Sequence, residues 1–203
     1  MRVLVACEFS QVVCKAFRDR GHEAYSCDIL PTEGNPDWHI QDDVLKHLDD
    51  GWDLMIAHDP CTYQCNSGVR WLYERPGRWE LLRESCEFTK KLFAAKIPLK
   101  ARENPIPHRY AVELLGIDYT QCVQPHWFGD KETKATCLWL FGLPKLVRTH
   151  WITEGIKDSV HQMPPRDDRG LARSRTFLGI ARAMAAQWGG SPTPPPDTES
   201  VKP

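Results

Sequence analysis

The feature that most constrains this chain is a repeated succession of short apolar runs and amphipathic stretches. "RVLVACE" (2–8) is brief, apolar and rich in branched residues, the signature of a buried strand. "SQVVCKAFRDRG" (10–21) follows with Ser10 placed to cap a helix, Val13 and Phe17 on one stripe, and Gly21 at the stop. The alternation continues with a strand "HEAYSCDIL" (22–30) ending at Asp28, a loop, a short helix "DDVLKHLDDG" (42–51) and a strand "WDLMIAHD" (52–59). After a long loop (60–77) come a helix (77–97), the strand "PLKARENP" (98–105) and the helix "RYAVELLG" (109–116). Strands "YTQCVQP" (119–125) and "TCLWLFG" (136–142) and a helix, or a turn leading into one (174–189), complete the pattern. This order predicts an α/β fold, a Rossmann-like, mostly parallel sheet with helices on both faces.

With 203 residues the chain suits one domain, here residues 1–189, and the Pro-rich stretch 190–203 is expected to be a disordered or extended tail. The net charge of −1 gives no global attraction to nucleic acid, so any such contact falls to local patches. Candidates are Lys90, Lys91, Lys96, Lys100 and Arg102, then Lys131 and Lys134, then Arg166, Arg169, Arg173 and Arg175. "MRVLVACEF" lacks the form of a signal peptide, and no apolar run is long enough to span a membrane. The expectation is a cytoplasmic protein with no membrane partner, whose eight cysteines are reduced.

In a parallel α/β sheet the ligand lies beyond the carboxyl ends of the strands. Those ends hold Cys7 and Glu8, Asp28, Asp59 to Cys61, and Glu103 to Pro105, so acids and a cysteine converge on one edge. Cys61 there is a nucleophile, a zinc ligand or a small core residue. Zinc lacks a second ligand pair beyond Cys65 and His58, and the sequence has no H-x-E to match a zinc deaminase. Glu103 is a proton donor or acceptor, or a surface carboxylate. Asp28 receives ribose hydroxyls or caps a turn. The first loop, "ACEFSQ", lacks G-x-G-x-x-G, which argues against a dinucleotide-dependent dehydrogenase.

Taken in order, these blocks resemble the cytosine-5 DNA methyltransferases. "VLVACEFSQVVCKAFRDRGHEAYSCDI" is similar to the family's first two motifs and "DDVL" (42–45) to the third. "DPCTYQCNSGVR" is similar to the catalytic block, "RENP" to the "ENV" block, and "FGDKETKATCLWLFG" to the segment that follows. The resemblance covers about residues 2 to 142. It implies a methyltransferase sheet with S-adenosylmethionine held by Glu8, Phe9, Ser10, Asp28, Ile29, Asp43, Val44, Asp59 and Pro60. It implies Cys61 attacking carbon 6 of a flipped-out cytosine, Glu103 holding ring nitrogen 3, and Lys134 on the base carbonyl or a phosphate. Asn66, Ser67, Arg70 and Asn104 would contact the substrate. Asp59 stands where the family has proline, and a carboxylate beside the thiol is expected to raise the Cys61 pKa. Only residues 143–173 separate "LFG" from the final helix, too few for the family's large target-recognition segment. The expectation is a minimal, phage-type member of low specificity, or one directed by a partner protein. Two other readings stay open: the same chemistry on a free pyrimidine nucleotide, and a non-catalytic descendant that binds DNA or protein.

Overall fold

The computed structural model describes residues 1–164 and 169–190. The expected tail from 191 onward, and Arg166, lie outside the described residues. Seven strands form one sheet: β1 (Arg2–Ala6), β2 (Glu23–Asp28), β3 (His39–Gln41), β4 (Leu54–Ala57), β5 (Leu99–Asn104), β6 (Gln121–Val123) and β7 (Thr136–Phe141). Their order is β3-β2-β1-β4-β5-β7-β6. The first five are mutually parallel, while β7 runs antiparallel to both β5 and β6. The described helices are α1 (Val12–Arg18), α2 (Trp71–Glu74), α3 (Arg78–Ala94), α4 (Arg109–Leu115), α5 (Ser159–Gln162), α6 (Arg169–Ser174) and α7 (Leu178–Trp188). None of them is long and apolar enough to cross a membrane.

The strands are continuous apolar runs because both of their faces are covered. Val3 and Val5 pack with Val13 and Phe17 of α1 and with Ile180 and Met184 of α7. Leu4 and Ala6, which a strand turns to the opposite face, pack with Met55, Trp52 and Leu92 of α3. A third cluster joins Leu72 of α2, Leu82 and Cys86 of α3, and Ala111 and Leu115 of α4. The mostly parallel sheet with helices on both faces is therefore present as the sequence predicts.

Two local expectations need correction. The segment 42–51 is a 3₁₀ turn, Val44–Lys46, preceded by the unforeseen strand β3. Asp43 accepts from Leu45 N at 3.0 Å, and Asp42 bonds Lys46 and His47, so the acids make local bonds that compete with a longer helix. Ser10 does not cap α1; Glu8 does, accepting from Val13 N at 2.7 Å and from Cys14 N at 3.1 Å. In the stretch 174–189 a non-helical lead-in, 175–177, becomes helix α7 at Leu178, with Phe177 in extended conformation as its N-cap.

Gly179 sits where α7 meets the chain at 128–130. Its N–H donates to Asp130 Oδ2 at 2.8 Å, and a Cβ at this position would overlap the Phe128 carbonyl. Gly170, in α6, has open space where its Cβ would point. Gly179→Ala is expected to destabilise by about 1–3 kcal/mol in urea unfolding. Gly170→Ala is expected to be neutral or to stabilise by up to about 1 kcal/mol. Equal effects at the two positions would contradict the close approach.

Candidate functional site

The parallel register pairs Ala57 with Arg102, which sets His58 and Asp59 beside Glu103 and Asn104 at the carboxyl edge. Asp59 is the centre of a buried network. Arg102 Nε donates to its Oδ1 at 2.6 Å and Arg102 Nη2 to its Oδ2 at 3.0 Å. Thr89 of α3 donates to Oδ2 at 2.6 Å, and Asn104 Nδ2 donates to the Asp59 carbonyl at 2.9 Å. Arg102 Nη2 also donates to Gln64 Oε1 at 2.7 Å, while Gln64 Nε2 donates to Ser85 and Thr89. The guanidinium lies 4.3 Å from the centroid of Trp139. The residues on either side of Pro60–Cys61 are thus tied to β5 and α3.

Cys61 begins a single turn in which Cys65 N donates to the Cys61 carbonyl at 3.0 Å. The turn brings the two thiols together. The hydrogen bond from Cys61 lowers the Cys65 pKa to about 5 against the pull of burial, with help from Ser67, whose Oγ is 3.2 Å away. The same bond, then burial, then the Cys65 and Glu103 charges raise Cys61. The two shifts oppose one another, Cys65 downward and Cys61 upward. The rise expected from Asp59 is corrected in its cause: that carboxylate is neutralised by Arg102, and the neighbour that holds the proton on Cys61 is Cys65.

Glu103 is buried and held by three groups. His58 Nδ1 lies 2.9 Å from Oε2, and the Thr176 hydroxyl donates to the same oxygen at 3.3 Å. Burial pushes the Glu103 pKa up, but Lys134, His58 and Thr176 together outweigh it and bring it to about 2. Burial lowers His58, and the Glu103 bond with the Glu103 and Glu8 charges reverses that to a net rise. His58 Nε2 is buried without a partner and faces a cavity of about 30 Å³ lined by Cys7, Glu8, Ser10 and Thr176. Lys134 Nζ donates to the carbonyls of Arg173 (3.0 Å) and Arg175 (3.4 Å), so it pins the segment before α7 while its charge acts on Glu103 and Cys61. Cys61, Glu103 and Lys134 therefore share one electrostatic neighbourhood.

The residues expected on the cofactor side surround the end of β1. Cys7 is raised well above the ordinary thiol range by burial first, then by Asp59, Asp28, Cys27 and Asp43, which places those acids around one point. Cys7 and Gln11 have positive φ (59° and 58°), so the first loop adopts a glycine-like path without glycines. Glu8 fills the N-terminus of α1, where a dinucleotide fold would receive pyrophosphate. Ser10 donates to Glu8 at 3.4 Å, and Phe9 is nearly buried with its carbonyl accepting from Glu33 N. Asp28 accepts from Leu30 N at 2.9 Å, Ile29 is 73% exposed, Val44 is buried and Pro60 is exposed. An edge of carboxylates beside an exposed Ile29, with its anion site already occupied, fits a cationic, hydroxyl-bearing ligand with an aromatic base.

On the substrate side, Asn66 and Ser67 are exposed in a 3₁₀ turn next to Cys65, and Arg70 is exposed over Trp71. Asn104 is engaged with Asp59 and faces inward. The sequence reading passed over His58 and Thr176 as partners of Glu103. His58 follows a strand next to Asp59, which was a usable signal, whereas Thr176 reaches the site only through the tertiary path of 175–177. Among the described residues, no group of three or more His, Cys, Asp and Glu is placed to hold a metal.

No family model and no curated protein matches the chain. Among solved structures it resembles a protein provisionally assigned as a DNA modification methyltransferase encoded within a prophage (E. coli), with a TM-score of 0.44 and 12% identity. The match covers 69% of this chain and 46% of that one, so the chain spans about half the length of that structure.

Removing one partner of the Asp59–Arg102 pair strands a buried charge. Asp59→Ala or Arg102→Ala is expected to cost about 3–5 kcal/mol in urea unfolding. The double mutant should cost less than the sum of the two. The His58–Glu103 pair sets a pH window. Glu103, lowered from 4.5 to about 2, contributes fully above 4.5 and loses its contribution as pH falls toward 2. His58, raised from 6.5, contributes fully below 6.5 and loses its contribution as pH rises through its folded value. The stability difference between wild type and Glu103→Gln should therefore be largest between about pH 4.5 and 6.5. A difference flat in pH would contradict the pairing.

Proposed function

We propose that the protein transfers a methyl group from S-adenosylmethionine to carbon 5 of cytosine in DNA, through a covalent adduct on Cys61. The observation that carries this reading is the joint placement of Cys61, Glu103 and Lys134 beside a carboxylate-lined edge. When bound, S-adenosylmethionine supplies an electrophilic methyl group. In this reading Glu8, Asp28 and Asp43 would hold it, and the charges of Asp28 and Asp43 both act on Cys7 at the end of β1. Glu103 Oε2 is fixed by His58 and Thr176, which leaves Oε1 for ring nitrogen 3 of the base.

In this reading Cys61 Sγ bonds carbon 6 of the ring as its proton passes to the Cys65 thiolate. Ring nitrogen 3 becomes basic and takes a proton relayed from His58 Nδ1 through Glu103, so negative charge does not build up on the base. After methylation the carbon 5 proton leaves to solvent. The carbon–sulfur bond then breaks, nitrogen 3 returns its proton, and Cys61 departs as thiolate. The base leaves the duplex stack to reach this edge, at a cost of about a few kcal/mol. The segment 143–158 contains no helix or named strand, and we assign target selection to low intrinsic specificity or to a partner protein.

A second reading keeps this chemistry on a free pyrimidine nucleotide, and the net charge of −1 favours it. Transfer of labelled methyl groups to DNA and to deoxycytidine monophosphate separates the two. Cys61→Ser should abolish transfer. Cys65→Ser should slow it by about 10²-fold and move the alkaline requirement upward, because Cys61 then loses its proton acceptor. Unchanged transfer in Cys61→Ser would overturn the reading, and loss in Cys65→Ser alone would move the nucleophile to Cys65.

A further inference from the structure

Several of the cations expected to meet a polyanion are already neutralised or held by carbonyls. Lys90 pairs with Glu87 at 2.8 Å, Arg102 with Asp59, and Arg175 with Glu33 at 2.5 Å. Lys100 Nζ donates to the carbonyls of Ala95 and Ile97, and Lys134 is held by carbonyls as above.

Four arginines behave differently. Among the described residues, Arg70, Arg75, Arg78 and Arg109 form no ion pair with a carboxylate, although Glu74 and Glu113 lie on the same elements. Each instead lies over a ring. Arg70 and Arg75 are 4.2 and 4.0 Å from the centroid of Trp71, Arg78 is 4.2 Å from Tyr63, and Arg109 is 4.5 Å from Tyr110. Neighbouring aromatic residues interlock: Trp79 and Tyr110 centroids are 5.0 Å apart, and Tyr73, 67% exposed, meets both. A guanidinium stacked on a ring is held in one plane and keeps its edge donors free, the arrangement that suits bidentate contact with phosphate.

The cluster is fixed to the loop that carries Cys61. Arg78 Nη2 donates to the Thr62 carbonyl at 2.8 Å, one residue from the thiol. Asn66 N donates to Ile106 O at 2.8 Å, Cys65 pairs with Pro107 in an antiparallel bridge, and His108 Nε2 lies 2.9 Å from Tyr63 O. The loop, the start of α3 and the start of α4 thus form one surface.

We infer that this arginine–aromatic surface docks the phosphates of the DNA strand that flanks the base at Cys61. The inference deepens the proposed function and rests on it for the identity of the polymer. Four guanidinium groups without a carboxylate partner, of which Arg78 and Arg109 each use one donor on Thr62 O and the Tyr110 hydroxyl, give a chain of net charge −1 a local site for a polyanion.

The test is anisotropy titration of the full chain with a fluorescent duplex of about 20 base pairs and with its single strand, over a range of salt. The variant Arg75→Gln/Arg78→Gln/Arg109→Gln is compared with Lys90→Gln/Lys91→Gln/Lys96→Gln. The arginine variant should lower the slope of log K against log salt by about 0.9 per arginine on duplex and about 0.7 on single strand. Its affinity near 0.1 M salt should fall about 100-fold or more, while the lysine variant retains wild-type slope and affinity. Arg→Lys at the three positions, which keeps the charge, should restore the slope and only part of the affinity, and thermal melts confirm that each variant is folded. The proposal is overturned by an arginine variant that binds as wild type, by loss in the lysine variant instead, or by a wild type that binds no DNA at low salt. DNA binding through the arginines without methyl transfer leaves the surface and removes the reaction. Transfer to the mononucleotide without DNA binding does the reverse.

Discussion

The bidentate pair between Asp59 and Arg102 is the interaction on which the carboxyl edge depends. It joins the end of β4 to the interior of β5 and draws in Thr89 from α3 and Gln64 from the loop that follows. Ions removed from water this completely incur a large desolvation penalty, so the arrangement persists only because each oxygen of Asp59 has more than one donor. With that network in place, Pro60 and Cys61 emerge at a defined point between His58 and Gln64. Asp59, which departs from the pattern its segment resembles, is a structural anchor of that segment.

Charge at the edge is divided between two small systems. On one side the shifts of Cys61 and Cys65 oppose one another within a single turn, Cys61 upward and Cys65 downward. On the other, Glu103 is kept ionised by Lys134, His58 and Thr176, groups contributed by three separate stretches of chain. Lys134 connects the two systems by lowering both Cys61 and Glu103, and by clamping the carbonyls of 173 and 175 that deliver Thr176. A lysine is suited to this task, since a point charge on a flexible stem can meet two carbonyls without a planar fork.

The strands of the sheet core were legible because a buried parallel strand must be apolar on both faces, as Val3 to Ala6 and Leu54 to Ala57 are. Helix α3 was legible for the complementary reason, an apolar stripe of Leu82, Cys86 and Leu92 ending near Ala94. The three-residue strand β3 escaped notice because its residues His39 to Gln41 carry no alternating pattern and its pairing is with β2 alone. The helix expected over 42–51 failed because its acids bond their own neighbours. The positions of Cys61 and Glu103 at strand ends were legible, whereas the bond from Asn104 to the Asp59 carbonyl, which links the ends of two strands, was not.

The sequence by itself determined the α/β sheet and the gathering of Cys7, Glu8, Asp28, Asp59, Cys61 and Glu103 at one edge. Those outcomes follow from local periodicity and from the geometry of parallel strands. Tertiary structure alone decided which carboxylate is neutralised, which cysteine holds the proton, and which arginines remain without an acid. Each of these depends on contacts between residues tens of positions apart, such as Asp59 with Arg102 or Thr176 with Glu103, and a side chain's charge state is set by the partners that folding brings within a few ångströms.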